Sequence, residues 1–137
     1  MHLNLRRLES LFVMELKNEQ GITCLIDANE TIGGQNKGFR PMELLAGSLA
    51  ACASIDVIQI LRKKRILLGC YEVHIEAKRK ESVPAPFEHI TLHFIFCNVI
   101  SEEQLKATIE LALYKYCSVN ASLSDEIKID YTYKIEE

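Results

Sequence analysis

The stretch from Gly38 to Arg65, GFRPMELLAGSLAACASIDVIQILRKKR, constrains this chain more than any other. From Leu44 to Leu61 it reads as one helix that is apolar nearly all the way round. A helix of that kind is buried inside a protein or a membrane rather than laid on a surface. Pro41 suits the first turn, where its missing N–H would be unpaired anyway. The cluster Arg62, Lys63, Lys64 and Arg65 puts positive charge where the helix dipole is negative. Small residues (Ala46, Gly47, Ser48, Ala50, Ala51, Ala53, Ser54) let other backbone come close. Among them sit one thiol, Cys52, and one turn later one carboxylate, Asp56.

A membrane span needs about 20 consecutive apolar residues. Ser48, Ser54, Asp56 and Gln59 interrupt this run, and both flanks read as ordinary strands. Leu49-Ala50-Ala51-Cys52 has the look of a lipoprotein signal, but such signals stand at the extreme N-terminus behind basic residues. The reading that remains is the buried central helix of a soluble protein.

The chain of 137 residues fits one domain over 1–137 with a sizeable core. A net charge of −3 gives no electrostatic case for nucleic acid or for an anionic membrane as partner. Cys24, Cys52, Cys70, Cys97 and Cys117 are scattered, without CxxC or zinc-ligand spacing. With no signal pattern at the first residues, a reduced cytoplasmic setting is expected, where thiols are core residues or reactive groups rather than staples.

The N-terminal third reads as an antiparallel meander: His2 to Leu8, Leu11 to Leu16, a turn at Asn18-Glu19-Gln20-Gly21, then Ile22 to Asp27. A long loop from Ala28 to Phe39 carries Gly33, Gly34 and Gly38 but no phosphate-loop spacing. Beyond the central helix, Tyr71, Val73, Ile75 and Ala77 alternate with charged residues, as do Ile90, Leu92, Phe94 and Phe96 with polar ones. That period marks an antiparallel pair with one face on helices and one wet. Ser101-Glu102-Glu103-Gln104 is a capping box opening a helix with Leu105, Thr108, Ile109, Ala112, Leu113 and Tyr116 on one stripe. Cys117 continues that stripe, and Ile127 to Ile135 is a last alternating strand. The sum is an α+β domain. One modest sheet and one further helix leave an all-apolar helix undercovered, which burial in a homodimer would solve.

Cys52 and Cys117 both fall on buried helical faces that must cover the same sheet, so they are candidates for a redox pair. A bond between them needs Cα atoms within roughly 4.4–6.8 Å. Core packing is the plainer alternative, since cysteine is often a small buried hydrophobe; Cys24, Cys70 and Cys97, in or beside strands, suit it better. A reactive thiol requires a cation or helix N-terminus nearby. Asp56 works against ionisation of Cys52 unless a cation pairs with it, with Arg40, Arg6, Arg7 and Arg65 available. Cys117 near a helix C-terminus faces an unfavourable dipole. Cys52 is thus the better nucleophile and Cys117 the better resolving thiol. His74, His89 and His93 share strand faces, but a solvated polar face fits them better than a metal site.

PMELLAGSLAACASIDVIQIL, then PFEHITLHF, then LYKYCSV, resembles the OsmC/Ohr family of thiol-dependent hydroperoxide reductases over essentially the whole chain, and most of all its YhfA-like branch. The resemblance implies an OsmC-like fold: antiparallel sheets packed around the long buried helix, with two chains intertwined as a homodimer. It implies Cys52 as peroxidatic and Cys117 as resolving cysteine, a small organic hydroperoxide as substrate, an external dithiol as reductant, and no cofactor or metal. Family reductases carry a glutamate directly after the helix-starting proline, holding an arginine over the thiol. Here that position is Met42, and Glu43 stands at the next. Arg40, Glu43 and Asp56 are therefore supporting candidates. The other reading is a dimer of the YhfA type that binds a small hydrophobic molecule with little or no peroxidase activity.

Overall fold

A computed structural model describes residues 1–97 and 100–136. The chain divides into two compact units, Met1–Leu45 and Ala46–Glu137.

In the first unit, β1 (Leu3–Arg7), β2 (Met14–Asn18) and β3 (Thr23–Ile26) form an antiparallel sheet in that order. β2 starts at Met14 rather than Leu11, because the Leu8 amide donates to the Val13 carbonyl (2.9 Å) and holds the intervening residues as a turn. The loop after β3 wraps its own buried carboxylate. Asp27 accepts from the amides of Ala28 (2.8 Å), Gln35 (2.8 Å) and Lys37 (3.2 Å). These donors, Gln35 foremost, hold its carboxyl below the usual aspartate range. Gly34 is required where it stands, since a Cβ there would run into the Ala28 carbonyl.

The central helix α1 spans Pro41–Lys63, three residues beyond the apolar core at its start and two at its end. By length and composition alone it is apolar enough to cross a membrane. Within the chain, however, only one stripe is covered: Ala46, Leu49, Ala50, Ala53, Val57 and Leu61 are buried. Ile55 is 61% exposed and Ile58 41%, with Ala51 open beside them.

In the second unit, β4 (Tyr71–Arg79) and β5 (Phe87–Phe96) are antiparallel, and β6 (Lys128–Ile135) lies parallel to β5 on its other side. Parallel neighbours need a long crossover. It is supplied by α2 (Glu102–Glu110), a π-helical segment (Leu111–Tyr116) and the short α3 (Ser118–Ser122). Ser101 caps α2 as its sequence predicts, accepting from the Gln104 amide (3.3 Å).

Alternate residues of β5 (Ile90, Leu92, Phe94, Phe96) form its buried face. Tyr71, on that face of β4, donates to Ser54 of α1 (2.8 Å), and Tyr131 of β6 donates to Glu110 of α2 (2.8 Å). Burial pushes the Tyr71 hydroxyl up to about 12. Leu105, Ile109, Ala112 and Leu113 complete the core; each large apolar side chain buried this way contributes roughly 1.5–3 kcal/mol.

Two sequence expectations are corrected here. Tyr116 is 52% exposed rather than on the buried stripe, because the wider i→i+5 turns of the π segment rotate it away. Cys70 and Cys97 are not separate core fillers, nor is the chain without a staple. They stand one residue outside the ends of β4 and β5, opposite each other, and form a disulfide with Cα atoms 5.1 Å apart.

Candidate functional site

Cys52 sits on α1 at the margin of the buried stripe, between Leu49 and Ala53, and is half-buried. Cys117 is placed by the end of the π segment. There the chain leaves helical geometry, and the Asn120 side chain donates to the Leu113 carbonyl (2.8 Å), closing the last turn. The Cys117 side chain then points inward, 3% exposed, with its sulfur 4.0 Å from the Leu49 carbonyl oxygen, one turn before Cys52. The Cys52 sulfur is near enough to act on the Cys117 thiol electrostatically, and both thiols are free. The redox-pair reading of the sequence required that proximity.

Their environments differ. Cys117 serves as N-cap of α3, its sulfur accepting from the Asn120 amide at 3.4 Å. Burial nevertheless raises its pKa to about 11, outweighing that amide and the one at Val119, and the neighbouring Cys52 sulfur adds to the rise. Cys117 thus keeps its proton at neutral pH because it is desolvated. The unfavourable helix dipole inferred from sequence is not the cause, since amides of a following helix point at this sulfur. Asn120 was not singled out by sequence reasoning; its only signal is a helix-capping residue type just after the LYKYCSV segment.

Asp56 lies half-buried in a groove of about 570 Å³ shared with Gln59, Ile60, Lys63 and Lys64 of α1 and with Leu111 and Tyr116. Neither Cys52 nor Cys117 lines this groove. Its walls are mixed, apolar from Ile60 and Leu111 and cationic from the lysines.

In the first unit, Arg40 and Glu43 pair with each other. The Glu43 carboxylate accepts from the Arg40 amide (2.9 Å) and lies 3.7 Å from its guanidinium, which also donates to Asn36 (3.5 Å). The carboxylate holding an arginine at the start of α1 is therefore at position 43, while Met42 is half-buried. Arg6 is engaged across strands with Glu15 (3.2 Å). The histidines have separate partners: His74 with Glu72, His89 with Asp130, and His93 with Thr132. Among the described residues no three His, Cys, Asp or Glu side chains converge as a metal-ligand set.

Residues 34–132 match the OsmC-like protein family model, most of the chain. The chain belongs to the OsmC-like family. It is 31% identical over 120 residues to Protein YhfA of Escherichia coli K12, covering 87% of each chain. A crystal structure of a protein from Aquifex aeolicus VF5 superposes with a TM-score of 0.80 at 31% identity, covering 99% of this chain and 97% of that one. An organic hydroperoxide resistance protein from Elizabethkingia anophelis shares the fold at 16% identity and a TM-score of 0.74, covering 99% and 97%. OsmC-like architecture thus extends from YhfA-type relatives to hydroperoxide-resistance proteins. This chain has the mixed sheets and long helix common to them.

Proposed function

We propose that this OsmC-like protein reduces organic hydroperoxides through Cys52 and Cys117. The observation that carries the reading is the nearness of a half-buried thiol, Cys52, to a deeply buried one, Cys117, whose proton burial retains. The Cys52 thiolate attacks the O–O bond of a hydroperoxide, taking one oxygen as sulfenic acid and releasing the alcohol. The Cys117 thiol condenses with it, forming the disulfide and expelling water. An external dithiol then returns two electrons and two protons. Cys117, protonated beside its partner, is suited to the second step rather than the first.

The proposal includes a cytoplasmic homodimer in which the exposed Ala51, Ile55 and Ile58 face of α1 meets its counterpart. The same apolar face supports the second reading, a dimer cleft that binds a small hydrophobic molecule without chemistry. Dithiol-dependent consumption of cumene hydroperoxide decides between them. Turnover by the native chain that is lost in Cys52→Ser sustains the peroxidase. No consumption above the uncatalysed rate, with a bound apolar probe, favours the ligand carrier.

A further inference from the structure

The Cys70–Cys97 bridge is separate from the Cys52 and Cys117 thiols. Tyr71 and Phe96 form the last register pair between β4 and β5, so the cysteines occupy the next rung. The Cys97 amide donates to the Cys70 carbonyl (3.2 Å), extending the ladder through the bridge itself. Their Cα separation of 5.1 Å lies within the range a disulfide spans without backbone movement. Cys70 is exposed beside the edge strand β4, and Cys97 is half-buried just after the central strand β5.

We propose that Cys70 and Cys97 form a second, surface redox couple that exchanges with low-molecular-weight thiols of the glutathione class. Exchange requires access to one sulfur and a leaving sulfur behind it, and Cys70 is the accessible one. A small-molecule thiolate attacks the Cys70 sulfur. The S–S bond breaks, and its electron pair leaves on Cys97, which takes up a proton. The product is a mixed disulfide on Cys70. A second thiolate attacks the small-molecule sulfur, releasing the symmetrical small disulfide and leaving Cys70 as a thiolate that is then protonated. The reverse sequence closes the bridge at the expense of the small disulfide. The ladder bonds from Tyr71 to Lys78 hold the strands in place while the bridge is open, so the two sulfurs remain opposed and closure is intramolecular. This couple does not depend on the peroxidase reading.

The test uses the full chain carrying Cys52→Ser, which removes the peroxide site. The protein is equilibrated in reduced and oxidised glutathione under native conditions, alkylated and mapped by peptide mass. The expected result is a bridge that opens and recloses with the glutathione ratio while circular dichroism stays unchanged. Adding Cys97→Ser should leave one glutathione on Cys70, at least about tenfold above that on Cys24, the half-buried comparison thiol. If the double variant fails to fold, the opening and closing of the native bridge alone decides. A bridge that opens only after denaturant unfolds the chain would overturn the proposal. So would Cys70 and Cys97 found as free thiols at every ratio, or glutathione distributed evenly over Cys24 and Cys70.

Discussion

The two cysteine pairs of the second unit solve opposite problems. Cys52 and Cys117 come from two helical segments far apart in sequence, meet as free thiols, and one is almost wholly removed from water. Cys70 and Cys97 are brought together by strand register alone, at an exposed ladder end, and are bonded. Desolvation marks the first pair: burial raises Cys117 to about 11. Backbone geometry controls the second, where strand register sets the two cysteines opposite each other. Cysteine count therefore says little about cysteine chemistry. The element carrying each thiol, and the depth at which it sits, decides what the thiol does.

The comparison breaks most severely at Cys52. Cys52→Ser should lower hydroperoxide consumption to the uncatalysed rate, whereas Cys70→Ser should leave it unchanged; a coupled peroxidase assay on both variants checks the contrast. Loss of turnover in Cys70→Ser would mean that the pairs do not act separately.

Next in size is the staple. The bridge closes a segment with a sequence separation of 27 residues, and the loop-entropy relation gives about 3.5 kcal/mol for a loop of that size. Reducing it, or replacing Cys97 with Ser, should shift denaturant unfolding by up to that amount. Cys117→Ser should show no such loop term.

The pH response of Cys117 sharpens the comparison further. Its folded pKa of about 11 exceeds the ordinary value of 9.0. At pH 8 its thiolate fraction, and so its alkylation rate, should be about 100-fold below that of the unfolded chain. The sign follows from the direction of the shift. The folded state binds the proton more tightly, so this residue's contribution to stability is full below pH 9 and declines between pH 9 and about pH 11. In Cys117→Ala that part of the alkaline slope should vanish.

A smaller effect concerns assembly. Ala50 is buried within its own chain and Ala51 is open, so Lys at 50 tests folding and Lys at 51 or 55 tests association. Ile55→Lys should yield a folded monomer by sedimentation at micromolar concentration if the exposed face of α1 is the dimer seam.

Much of the second unit was legible in the sequence because its signals are local. Period-two alternation marked β4 and β5, Ser101 and Gln104 marked the start of α2, and helical spacing put Cys52 and Cys117 on inward faces. What escaped depends on relations between elements. The pairing of Cys70 with Cys97 needs the β4–β5 register; in hindsight, one cysteine just outside each strand end is its signal. The π segment that exposes Tyr116 has no periodicity of its own to read. Asp27 looked like a strand terminus, yet it organises the following loop, because its amide donors lie up to ten residues away. The Cys117 pKa is raised chiefly by burial, a depth that residue spacing alone does not give.

The account stands most directly on which sulfurs join when peroxide is added. One equivalent of cumene hydroperoxide is added to the chain with Cys70–Cys97 intact, followed by alkylation and disulfide mapping. The account predicts loss of two hydrogens from the intact mass, a new Cys52–Cys117 cross-link, an unchanged Cys70–Cys97 bridge and an alkylated Cys24. In Cys117→Ser the same equivalent should stop at a sulfenic acid on Cys52. Oxidation spread over Cys24, Cys52 and Cys117 alike, with no Cys52–Cys117 peptide, would contradict it.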